Sequence, residues 1–153
     1  WEKSKLYFMK AIQIQPMKVN AYFQYAKVLR DYVKDYEESE KYHLTAISVD
    51  QVYNGLNGSY GYLLYLKGEN EKAMKYIELE LRWHNKNKWV HFYYGLINKA
   101  IGNDNKAEQE ILQAVKLCKG KKSVMDRLQV IKELDSVNKD YYARFEALLK
   151  NDK

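Results

Sequence analysis

The chain has 153 residues and a mass of 18.3 kDa, enough for one domain with a real core. Apolar residues make up 46%, yet no apolar run approaches the roughly 18 residues that span a bilayer, so no membrane partner is expected. The net charge of +6 is spread along the chain, about +1 over residues 1–50, +3 over 51–100 and +2 over 101–153. That is too thin for the dense patch of a nucleic-acid binder, and no nucleic-acid partner is expected.

One cysteine, Cys118, excludes a disulfide framework and points to a reducing, cytoplasmic compartment. The amino end is charged within five residues and carries no visible signal peptide. A single proline and seven glycines favour long helices, and fifteen tyrosines supply large apolar area with a wet end.

In chain order, the pattern predicts helices at about 2–14, 19–33, 36–49, 52–66, 69–83, 87–101, 104–118, 122–135 and 138–150. Within them lies a repeat. Tyr60-Gly61 followed by Gly68-Glu69-Asn70-Glu71-Lys72-Ala73 recurs 34 residues later as Tyr94-Gly95 followed by Gly102-Asn103-Asp104-Asn105-Lys106-Ala107. Backwards, Ala73 falls on Ser39 and then, at a spacing of 35, on Ser4; the turn at 31–36 reads one residue longer than its successors. Forwards, Ala107 falls on Tyr141 and Ile111 on Phe145. The expected organisation is one domain over 1–153: a half repeat at 1–18, repeats at 19–51, 52–86 and 87–121, and a degenerate capping repeat at 122–153. Small residues at Ala26, Gly61 and Gly95, and at Ser39, Ala73 and Ala107, let paired helices approach closely. In the last helix Tyr141, Phe145 and Leu148 are expected inward and Lys139, Arg144 and Lys150 outward.

The period, with Tyr25-Ala26-x-x-Leu29 and Tyr60-Gly61-x-x-Leu64 in first helices and Ser4-x3-Phe8-x2-Ala11 closed by Pro16 in a second helix, resembles the tetratricopeptide repeat. The resemblance implies an all-α fold, a right-handed α-α superhelix of about nine antiparallel helices. It also implies a function, the holding of a protein or peptide on the surface made by the first helices. Carried over residue by residue, that groove comprises Phe23, Lys27 and Arg30, then Gly55, Gly58, Tyr62 and Tyr65, then Trp89, Phe92, Leu96 and Lys99. Aromatic rings with cations among them suit a peptide with apolar and acidic residues. The sites that clamp chaperone C-termini in one subgroup fall on Phe23, Lys27, Ser59, Trp89 and Tyr93. Only Lys27 is a cation, so chaperone binding through that clamp is not expected. Gly55 and Gly58 fall where Trp89 and Phe92 stand in the next repeat, which suggests a notch for a partner's apolar side chain.

Nothing points to an enzyme or a cofactor. His84 and His91, seven apart, have no carboxylate or cysteine at metal-ligand spacing, and His43 takes a position that packs between helices in the repeat register. The glycines at 55, 58 and 61 do not match a phosphate loop, and the lysines at 116–122 suit a solvated helix junction. Two alternatives stand beside the adaptor reading. One is an architectural segment of a larger protein, suggested by a half repeat that begins with a second helix. The other, less favoured, is an RNA-binding helical repeat.

Overall fold

In the computed structural model the described residues are 2–118 and 121–151. They form α1 (Glu2–Ile14), α2 (Val19–Val28), a π-helical turn (Leu29–Val33), α3 (Tyr36–Val49), α4 (Leu56–Leu66), α5 (Asn70–Trp83), α6 (Lys88–Ala100), α7 (Asp104–Lys116), α8 (Lys121–Leu134) and α9 (Lys139–Asn151). No strand occurs among the described residues. The pairs α2–α3, α4–α5 and α6–α7 are the three repeats, and α4 packs on α3 and α6 on α5 to join them.

The small residues act as their spacing predicts. Ala26 and Ala73 are fully buried. A Cβ placed on Gly61 would lie 2.9 Å from Ile77 Cγ1 and 3.0 Å from the Ala73 carbonyl, so only hydrogen fits. Gly68 and Gly102 end α4 and α6 with φ of +82° and +81°. Their following residues return amides to Leu64 and Asn98 at 2.9 and 2.8 Å, which closes each helix C-terminus.

Lys34 takes the same left-handed position in the first repeat, at φ +62° and 34 residues before Gly68. Yet Tyr25 precedes Tyr60 by 35. The extra residue therefore lies within the π turn rather than in the loop at 31–36, as its wider hydrogen-bond ring accommodates one more residue per turn. The predicted helix 19–33 is split accordingly.

Three other expectations change. The helix expected from 52 begins at Leu56, and Gly55 stands outside it as its N-cap at φ +84°. In α9 the inward residues are Tyr141, Tyr142, Phe145 and Leu149, with Leu148 only half-buried; Lys139, Arg144 and Lys150 are exposed as expected. The largest change concerns α8. It does not continue the stack as the first helix of a fourth repeat but packs against the π turn and against α9. The stacking position falls to α9, which packs on α7. Tyr141 of α9 donates to the Phe92 carbonyl at 3.0 Å, and the rings of Tyr142 and Phe145 lie 6.2 and 4.7 Å from that of Phe92. The physical reason is volume. Aromatic side chains at 141, 142 and 145 fill the face left by Gly95 and Phe92, whereas α8 offers the narrower stripe Val124, Leu128 and Ile131.

Candidate functional site

The π turn delivers two adjacent charges, Arg30 and Asp31, into the interior. Arg30 is fully buried. Its Nε and Nη2 donate to the two Asp31 oxygens at 2.7 and 3.2 Å. Its Nη1 donates to the Ser59 carbonyl at 2.8 Å and to Ser59 Oγ at 2.6 Å. The Tyr62 ring lies 5.0 Å from the guanidinium carbon. Asp31 receives a second guanidinium, Arg127 of α8, which also donates to the Tyr93 hydroxyl at 3.1 Å. Burial pushes the Asp31 carboxyl up, but the two guanidiniums outweigh it and hold it below the usual carboxylate range.

Ser59 hands the network on. Its hydroxyl, already an acceptor for Arg30, donates to His43 Nε2 at 3.0 Å, and His43 Nδ1 donates to the Ser39 carbonyl at 2.9 Å. That carbonyl can only accept, which fixes the tautomer. Burial, and then the Arg30 charge, pull His43 down to about 3. The Ser59–His43 distance is that of a nucleophile and its base, but an imidazole so depressed is a poor proton acceptor. Its evident task is to complete the hydrogen bonds of a buried polar chain.

Beside this network lies an open cleft of about 310 Å³ walled by Phe23, Trp89, Val90 and Tyr93, with Lys27, Arg30 and Arg127 as its cations and Asn54 and Asn87 at its mouth. Among the described residues Lys27 has no carboxylate partner. Its ammonium lies 5.4 Å over the Phe23 ring and reaches Gln24 Oε1 at 3.5 Å. Burial lowers its pKa first, and repulsion from Arg127 and Arg30 lowers it further. Of the three cations, two, Arg30 and Arg127, share Asp31, and Lys27 stands beside them. A second depression of about 430 Å³ adjoins the first through Asn54, Asn87 and Trp89, and adds Lys86, Lys88, His84 and the exposed Trp83.

Of the expected groove residues, the structure brings Phe23, Lys27, Arg30, Gly55 and Trp89 together around this cleft. Others are not on an open surface. Tyr62, Phe92 and Leu96 are fully buried. Tyr65 is bonded to Asp135 and Asn138, in the turn after α8. Lys99 is occupied by Asp104 and Asp140 at 2.9 and 3.4 Å.

The notch over Gly58 is already filled. A Cβ there would lie 2.7 Å from Val90 Cγ2 and 3.4 Å from Glu80 Cγ. Glu80 is fully buried, and its carboxylate accepts the amides of Gly55 at 2.7 Å and Gly58 at 3.2 Å. It caps α4 from another helix, since an anion at a helix N-terminus meets unpaired N–H groups and the positive end of the dipole.

Sequence reasoning passed over Asp31, Asn54, Asn87 and Arg127. The 35-residue interval from Tyr25 to Tyr60 was a signal for the π turn; nothing in the repeat pattern placed Arg127 beside it. No group of three or more potential metal ligands occurs among the described residues, and no described helix is long and apolar enough to cross a membrane.

No family model matches the chain, and no curated protein does. Solved structures do. A thermophilic TPR protein from Thermus thermophilus, TTC0263, superposes with a TM-score of 0.67 at 18% identity, over 93% of this chain and 87% of that one. This chain has the tetratricopeptide-repeat fold. YrrB, described as a TPR protein with an unusual peptide-binding site, gives a TM-score of 0.65 at 18% identity, over 95% of this chain and 85% of that one. The CopN–Scc3 complex gives 0.61 at 14% identity, over 95% and 75%. At these identities the likeness establishes the architecture of the tetratricopeptide-type stack, and the chemistry of its cleft rests on its own residues.

Proposed function

We propose that the protein is an interaction module that holds a partner segment carrying apolar and acidic residues in the cleft between α2, α4, α6 and α8. The supporting observation is the pairing of an aromatic wall, Phe23, Trp89 and Tyr93, with three cations, of which Arg30 and Arg127 share Asp31 and Lys27 has no carboxylate among the described residues. An acidic group on the partner offsets the crowding of Lys27 by Arg30 and Arg127, and apolar groups cover the rings. Binding rather than catalysis is the proposed activity, and the depressed base at His43 supports it. A protein-holding role for this fold is in keeping with the peptide-binding site named for YrrB and the complex named for CopN.

The test is a fluorescence-polarisation screen of peptides that vary acidic and apolar content. Lys27→Ala should weaken the best peptide by about tenfold, as loss of a binding anchor does, while the melting temperature holds. Trp89→Ala should weaken it similarly but also lower the melting temperature, because its ring packs on Phe92, Tyr93 and Phe145. Affinity should also fall with added salt. Equal binding of acidic and neutral peptides would remove the role of the cations.

The architectural alternative has its own support. On α1 and the turn after it, Leu6, Tyr7, Ile14 and Met17 are 56–76% exposed, an apolar face suited to packing against another part of a larger assembly.

A further inference from the structure

The element that closes the cleft on one side is α8, and its seat is unlike that of any other helix in the chain. It is fastened to all three first helices or their extensions. Arg127 bonds Asp31 of the π turn and Tyr93 of α6, and Asp135, just past its end, accepts the Tyr65 hydroxyl of α4. Its buried apolar residues are Val124, Leu128 and Ile131, one stripe at spacings of four and three. Beneath lies an aromatic ladder. Tyr62 stacks on Tyr93 at 4.3 Å and on Tyr65 at 6.1 Å, and Trp89 continues the row at 6.3 Å from Tyr93. The two tyrosines that flank Tyr62 bond α8 or the turn after it. The Tyr62 hydroxyl between them is buried and has no hydrogen-bond partner among the described residues.

We infer that α8 is a displaceable occupant of the partner surface, an intrachain plug whose place is taken by a partner's amphipathic helix with apolar residues at α8's spacing and an acidic residue facing Lys27. This rests on the reading of the cleft as the partner site.

Three features carry it. Departure of α8 strands no buried charge in the stack, because Asp31 keeps both bonds from Arg30. Asp135, in the turn that joins α8 to α9, keeps the Tyr142 hydroxyl of α9, which stays in the stack. The residues that would be uncovered, Tyr62 with Tyr65 and Tyr93, are hydroxyl-bearing rings, of which Tyr62 gains a partner in water. Finally, α8 leaves one charge unanswered: its Arg127 satisfies Asp31, but no carboxylate among the described residues pairs with Lys27, whose ammonium rests over the Phe23 ring. A helix with a carboxylate opposite Lys27 therefore gains a contact that α8 does not make, while matching its apolar stripe. The open cleft gives such a helix a first foothold without prior opening.

Native-state hydrogen exchange on the full chain measures the plug without any partner. Amides of α8 should open about 100-fold more often than those of α4 and α6, as a sub-global unit does. Arg127→Ala should raise the α8 opening about tenfold further and leave α4 and α6 protected. Tyr65→Phe, which cuts the tie at the other end, should act in the same direction. A labelled peptide of residues 121–138, added in trans, should bind Arg127→Ala about tenfold more tightly than the unmodified chain, since apparent affinity scales with the open fraction. Protection of α8 equal to that of α4 and α6, falling for all helices together in both variants, makes α8 a fixed member of the core and overturns the inference. So does failure of the trans peptide to distinguish the two chains. Acidic peptides that fail to bind while α8 opens as stated would sink the proposed function but leave the plug in place.

Discussion

Glu80 reaches across 25 residues of sequence to accept the Gly55 amide at 2.7 Å, so the second helix of the middle repeat caps the first. The carboxylate is fully buried and also accepts from Gly58. Glu80→Ala strands two amides and leaves a void, and should cost about 2–4 kcal/mol. Glu80→Gln retains one acceptor and should cost roughly half as much. Urea unfolding of both variants checks the order. Equal losses would mean that the site values only the volume of the side chain.

Gly58 and Val90 interlock. Gly58→Ala sets a Cβ 2.7 Å from Val90 Cγ2, and a valine inside a packed layer has little freedom to withdraw. The expected loss is about 1–3 kcal/mol. In the Val90→Ala background the same substitution should cost less than about 1 kcal/mol, because the two sites are coupled. A double-mutant cycle with no coupling would show that the helices simply move apart.

The buried charges of the π turn are unequal in importance. Asp31→Asn leaves Arg30, fully buried, without its counter-ion and should cost about 3–5 kcal/mol. Arg127→Ala removes only the second of two cations on that carboxylate, from a half-buried side chain, and should cost about 1 kcal/mol. Chemical denaturation gives both values; a larger loss at Arg127 would reverse the assignment of Arg30 as the resident partner.

Two histidines give stability opposite dependences on pH. His43 is neutral in the folded chain, with its pKa pulled down to about 3 from an ordinary 6.5. Between those values the unfolded chain binds the extra proton, so stability falls as pH falls, by about 2–3 kcal/mol from pH 6.5 to 4.5. For His91, burial acts downward, but the Glu110 carboxylate at 2.6 Å and the Asn85 carbonyl at 2.7 Å overcome it and raise the pKa. Its contribution is full below about 6.5 and is lost as pH rises through the folded value. Glu110 is lowered in turn and loses its contribution as pH falls below the usual glutamate range. Unfolding free energies from pH 4.5 to 8.5 should therefore flatten on the acid side in His43→Gln and on the alkaline side in His91→Gln. An unchanged acid slope in His43→Gln would count against a neutral, buried imidazole.

The repeat is legible in the chain alone. Tyr60-Gly61 and Tyr94-Gly95, with Ala73 and Ala107 at the same interval, specify close helix pairs because small residues at fixed spacing are a local requirement that each repeat must meet alone. The helix ends at Gly68 and Gly102 are legible too, since a turn there demands positive φ. The candidate site was settled by packing. Whether a first-helix residue faces a partner or a neighbour depends on what lies over it. Tyr62, Phe92 and Leu96 occupy groove positions by spacing but are fully buried. The place of Arg127 depends on a competition between α8 and α9 for one stacking position. Apolar volume decides that competition, and charges then pair across the 96 residues from Asp31 to Arg127. No periodicity along the chain records such a long-range pairing, because the energy that fixes it belongs to the assembled stack and to none of its repeats alone.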